Sequence, residues 1–160
     1  MSSWLDVALL AVLIVLNGVF AMSEISLVTS RRARLQRLID DKVAGAERAR
    51  EINADPNRAL STIQVGITSI GILSGIVGES ALARPMEAFL VMVGLSPETA
   101  KAIGLFVVVV LITYFSIVMG ELVPKRIGQI SPERIACRLA PPIHCLSIIA
   151  APFVKLLSVS

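Results

Sequence analysis

Three apolar stretches, each long enough to cross a hydrocarbon layer, are separated by charged or turn-rich segments, and this layout constrains the fold of the 160-residue chain more than any other feature. The first runs from Trp4 to Val28, interrupted by Asn17, Gly18, Ser23, Glu24 and Ser26. The second covers Leu60 to Val77 and is rich in small residues. The third, Ala102 to Val123, contains a wholly aliphatic run from Val107 to Ile112. Backbone amides and carbonyls in lipid must be satisfied within the segment, so these stretches predict helices and an all-α membrane protein. The N-terminal stretch is expected to remain as a span and not be cleaved as a leader. Asp6 is its only charge before Glu24, no basic region precedes it, and its apolar run is too long for a leader.

The segments between the spans set the expected organisation: a first span over 1–30, amphipathic cytoplasmic helices over 31–58, a second span over 59–78, an external loop over 79–101 and a third span over 102–123. A kinked cytoplasmic juxtamembrane helix is expected over 124–160. Arg31 to Arg58 holds eight Lys or Arg and five Asp or Glu, with Leu35, Leu38 and Ile39 on one face, the pattern of a helix lying on a membrane surface. Arg134 to Leu157 is apolar but broken by Pro141, Pro142 and Pro152. An interfacial helix accommodates those prolines better than a span does, although a full span stays open. Only Arg84 and Lys101 are basic between the second and third spans. The charge asymmetry therefore places the first loop and the C-terminal tail inside and the N-terminus outside, across a plasma (inner) membrane.

A formal net charge of +3 invites a nucleic-acid reading. The basic residues flank apolar segments, however, and lack the aromatic partners on which bases stack, so lipid headgroups are the expected counter-surface and no nucleic acid is expected. Cys137 and Cys145 fit no metal-ligand spacing and read as free thiols.

Chemistry is carried by the few polar residues inside the spans. Glu24 and Glu121 lie toward the cytoplasmic ends of theirs, where a carboxylate is paired, faces a cavity or binds a cation. For Glu24, snorkelling to the surface stands equally. Pro124 has no N–H, so a continuing helix leaves the Gly120 carbonyl without its partner, next to the Glu121 carboxylate. Ser23 and Ser26 share a face of the first span, and Thr68, Ser69 and Ser74 are available on the second. A set of hydroxyl, carbonyl and carboxylate oxygens, without Cys or His, suits magnesium and argues against zinc or copper. Asn17 is expected to seek a partner across helices, and Gly71 and Gly75 form a G-x-x-x-G pair that permits close helix approach. Nothing pairs a nucleophile with a base, and no enzymatic activity is expected.

Asn17-Gly-Val-Phe-Ala-Met-Ser23-Glu24, Gln64-Val-Gly66-Ile-Thr68-Ser-Ile-Gly71 and Gly120-Glu-Leu-Val-Pro-Lys125 together resemble the signatures of the CNNM/CorC transmembrane domain, over essentially the whole chain. The resemblance implies a homodimer of three-span protomers with a juxtamembrane belt helix, moving magnesium or cobalt by alternating access. It also implies cytoplasmic CBS modules that bind ATP, outside residues 1–160. It points to Ser23 and Ser26, to Glu121 and to the Gly120 carbonyl as cation ligands. Asn17, Glu24, Gly66, Gly71, Pro124 and Lys125 are its supporting motif positions. Magnesium-handling relatives often carry Asn after the glycine that Gly66 matches. Here Ile67, Thr68 and Gly71 follow, and Thr68 would offer a hydroxyl instead. This version also resembles a branch linked to export of putrescine and cadaverine. A third expectation, of another class, is a non-transporting membrane anchor or sensor for cytoplasmic CBS domains.

Overall fold

The computed structural model describes residues 3–159, with side-chain surroundings for residues 4–150. Among the described residues there are helices and no strands. They are α1 (Ser3–Thr29), α2 (Arg32–Asp40), α3 (Ala46–Ala54), α4 (Asn57–Met92), α5 (Pro97–Ile117), a π-helical turn (Val118–Leu122), α6 (Val123–Ile130) and α7 (Pro132–Val159). Three helical stretches, Trp4–Thr29, Asn57–Met92 and Pro97–Ile130, are long and apolar enough to cross a membrane. Their outward faces carry Val15, Ile72 and Phe106, all exposed, as lipid-facing helices require.

Close contacts fix how the spans run. Gly66 of α4 lies against the Phe20 ring of α1, and Gly78 of α4 against Leu10, so the two helices are antiparallel. Gly120 meets Asn17, and Gly128 meets Met22 and Ile25, so the third span runs parallel to α1. At Gly66 a side chain is excluded: a Cβ would stand 2.9 Å from Phe20 Cε1.

The connecting segments differ from expectation in extent and in packing. The loop over 79–101 is mostly helix. α4 continues through Pro85 to Met92, and α5 begins at Pro97, leaving only a tight turn in which Gly94 has φ +105°. Pro85 lies inside α4, where a proline costs little because neighbouring helices cover the freed carbonyl of buried Ala81. Ser96 starts α5 by accepting from the Thr99 N–H (3.4 Å) with Pro97 at the first helical position, a start signal already legible in Ser-Pro-Glu-Thr.

The segment 31–58 is helical and amphipathic as expected, and what is corrected is the surface on which it lies. It forms two short helices joined by a turn with Lys42 and Gly45 at positive φ, and its apolar face packs against protein. Leu35 is fully buried with Leu27, Ile52, Ile63, Ala136 and Cys137 in a core that caps one end of the bundle. The residues after Val123 also differ from the single juxtamembrane helix over 124–160. α6 carries the third span on to Ile130, and only then does α7 begin. α7 stays helical through Pro141 and Pro142 and packs across the ends of α1, α3 and α4. Because Pro141 has no N–H, the Cys137 carbonyl loses its helical partner. Gly45 packs directly against that oxygen, where any Cβ would collide.

Polar contacts fasten this cap. Glu133, buried, accepts from the Arg31 backbone N–H (3.2 Å) at the entry to α2 and lies 3.8 Å from Arg34. Asn53 donates to the Leu27 and Ser30 carbonyls (2.9 and 3.2 Å), satisfying the end of α1 that no helical turn follows. Arg58 reaches the Ser147 carbonyl of α7 (3.3 Å).

A carboxylate pair bridged by a lysine

The third span does not continue as a regular α-helix through Gly120-Glu-Leu-Val-Pro124. The Val123 N–H bonds to the Val118 carbonyl, five residues back, so the turn widens where Pro124 would have left a gap in the hydrogen-bond ladder. Asn17 supplies the missing donor: its Nδ2 gives a hydrogen bond to the Gly120 carbonyl at 3.1 Å. Beside it, Gly18 makes room for the Pro124 ring, whose Cγ would stand 2.8 Å from any Cβ there. The pair Asn17-Gly18 thus fits the pair Gly120 and Pro124. The expectation of a cross-helix partner for Asn17 is met, and that of a bare Gly120 carbonyl is corrected.

The wide turn and α6 bring three charged groups together. Lys125 Nζ donates to Glu121 Oε1 at 2.7 Å, one turn back, and lies 3.4 Å from Glu24 Oε2 on α1. All three side chains are partly covered, with exposures of 31% for Lys125, 25% for Glu24 and 43% for Glu121, so the cluster is not sealed by the described residues. One ammonium therefore joins two carboxylates from different spans. Of the roles open to a carboxylate at this depth, Glu121 is paired, and its partner is Lys125.

The hydroxyls are distributed differently. Ser23 and Ser26 are buried and donate to their own helix, Ser23 to the Val19 carbonyl (2.7 Å) and Ser26 to the Ser23 carbonyl (3.0 Å). Their lone pairs stay free, but their protons are committed. Thr68 is exposed, on the far side of α4 from the buried positions Ile63, Ile70 and Ser74, so a single chain does not bring it to Ser23 or Glu121. Gly66 is a space-maker for Phe20. Gly71 and Gly75 have nothing within 4 Å of a built Cβ among the described residues. Among the described residues, no three His, Cys, Asp or Glu side chains cluster as a metal site, so a metal held here would depend on neutral oxygens beside the two carboxylates.

Two buried polar atoms among the described residues lack a partner: Asn17 Oδ1 and Ser116 Oγ. Ser116 was not singled out from the sequence, although it precedes Gly120 by four residues and so shares its helix face. A separate cavity of about 620 Å³ opens toward the start of α1, lined by Asp6, Glu79, Arg84, Glu87 and Lys101. It lies far from the carboxylate pair, since Asp6 and Glu24 stand roughly 27 Å apart along α1.

Residues 8–160 match the family model of the cyclin M transmembrane N-terminal domain. The UPF0053 protein sll0260 of Synechocystis is 43% identical over 156 residues, covering 98% of this chain and 35% of the relative. The UPF0053 protein YhdT of Bacillus subtilis is 33% identical over 150 residues, 94% of this chain and 32% of the relative. The polyamine export protein of Escherichia coli K12 is 32% identical over 142 residues, 89% of this chain and 32% of the relative. The chain spans about a third of the length of these relatives.

Proposed function

The chain belongs to the cyclin M transmembrane domain family, and on that premise we propose that it is the membrane domain of a cation exporter whose cargo binds at Glu24 and Glu121 as an alkylammonium. The observation that carries this reading is the Lys125 ammonium itself. A primary amine on a methylene stem sits between the two carboxylates, and the end of a putrescine or cadaverine molecule is the same chemical group. Similarity to proteins named for polyamine export supports it. Transport proceeds by alternating access, with no covalent step. The cargo enters from the side of α2, α3 and α7, and the excess of basic residues over 31–58 supports reading that side as cytoplasmic.

Magnesium is the second reading, supported by the free lone pairs of buried Ser23 and Ser26 close to Glu24. It has less support within one chain, because Thr68 faces outward and the Gly120 carbonyl already accepts from Asn17. An anchor or sensor role leaves the shared ammonium between two spans without a use.

The deciding experiment titrates putrescine, and separately magnesium, against thermal stability of the full-length protein in detergent. A ligand that binds only the native state raises the melting temperature by mass action. Putrescine should stabilise the parent, and Glu121→Gln should abolish the effect while leaving a folded protein. Stabilisation by magnesium alone would transfer the site to the metal reading. A Glu121→Gln variant that responds like the parent removes Glu121 from the site.

A further inference from the structure

We infer that Lys125 is a tethered competitor for the cargo: a cation built into the chain that occupies the two-carboxylate seat when it is empty and must leave it when cargo arrives. The inference rests on the reading of Glu24 and Glu121 as that seat. Three observations carry it.

First, Lys125 spans both carboxylates, at 2.7 Å from Glu121 and 3.4 Å from Glu24, and does not merely pair with the nearer one. The two acids come from α1 and the π-helical turn, so the lysine neutralises charge that no residue on α1 alone would offset. Cargo approaching the occupied seat meets one uncompensated negative charge instead of two. Binding both carboxylates requires the lysine to withdraw.

Second, withdrawal has a route. Lys125 is 31% exposed and stands one turn beyond Glu121, toward the charged end of the bundle. Its four-carbon stem can carry the ammonium to the polar boundary without backbone movement. Glu24 is the more covered of the two acids, so the exposed flank of the cluster is the side of Glu121 and Lys125. Third, the backbone under the lysine is held. Pro124 seats against Gly18 and Gly120 is bonded to Asn17, so the side chain is the movable part of this turn.

The consequence is a seat that is weak by construction. A lysine always at hand lowers affinity for any cation, and its return accelerates release. An exporter needs both when the cargo is abundant inside.

The test compares Lys125→Met, which keeps stem length and removes the charge, with Lys125→Arg and Glu121→Gln in the full-length protein. Putrescine binding is read by titration calorimetry and efflux in proteoliposomes. Lys125→Met should bind putrescine about tenfold more tightly, the scale on which a nearby charge shifts a carboxylate's preference for a cation, and should export it more slowly at saturation. Lys125→Arg keeps a competitor and should bind close to the parent. If Lys125→Met does not fold, Lys125→Gln provides the same comparison, since its amide can donate to the carboxylates without charge. Parent-like or weaker putrescine binding by a folded Lys125→Met or Lys125→Gln overturns the competitor role, while loss of binding in Glu121→Gln would still uphold the seat. Parent-like binding in Glu121→Gln as well refutes the seat itself.

Discussion

Asn17 carries more of the local architecture than its single amide suggests. It turns the gap that Pro124 opens in the third span into a contact between spans. Asn17→Leu leaves the Gly120 carbonyl buried without a donor, so a loss of about 1–3 kcal/mol is expected in detergent unfolding. Asn17→Gln, which keeps the amide, should recover part of it; equal losses in both would mean the hydrogen bond contributes nothing beyond shape. The two thiols offer a second check on placement. Burial pushes the Cys137 thiol above its ordinary value, and Cys145 is exposed. N-ethylmaleimide at neutral pH should therefore modify Cys145 and spare Cys137 until the protein is unfolded. Much of the site was readable at this scale. Pro124 and Asn17 each announced an unmet hydrogen-bond need, one lacking a donor and the other seeking a partner. That the two needs answer each other depends on the facing of two helices a hundred residues apart, which no local pattern encodes.

At the scale of elements, spans were legible because lipid imposes length and polarity together, whereas their ends were not. α4 outran its expected limit by 15 residues, from Val77 to Met92, because Glu79, Arg84, Pro85 and Glu87 look like a loop by composition. In the fold they extend a helix that α5 accompanies. The amphipathic pattern of Leu35, Leu38 and Ile39 was read correctly as a buried face, but sequence alone cannot say whether lipid or protein covers it. Here α7 and α3 do. The junction of the short helices with α7 should be the most substitution-sensitive point of the cap. Gly45 has φ +81° and its missing side chain faces the Cys137 carbonyl, so Gly45→Ala meets both backbone strain and a collision. A loss above about 2 kcal/mol is expected, together with faster proteolysis in the turn around Lys42. An unchanged melting profile would mean that α7 is not held by this contact.

For the molecule as a whole, the face of α4 with Thr68, Gly71 and Gly75 is left open among the described residues. Under the expected homodimer that face meets its copy, so Gly71→Leu or Gly75→Leu should shift the protein toward monomers in detergent without unfolding it. Unaltered assembly in both variants would assign the face to lipid. Orientation is tested separately: a cysteine placed at Ser96, in a variant lacking Cys137 and Cys145, should react with an impermeant maleimide applied to intact cells, and one at Arg48 should not. The reverse pattern would invert the proposed entry side. The 36 residues of α4 have one more implication. At about 1.5 Å per residue the helix is roughly 54 Å long, against about 30 Å of hydrocarbon. It behaves as a lever longer than the layer that holds it, so a change of tilt that matches a thicker or thinner bilayer displaces both of its ends. A bilayer of different acyl-chain length is therefore expected to be met by a change in the tilt of α4, with the Gly66–Phe20 contact and the Glu79–Glu87 cleft as the two places where that tilt is read.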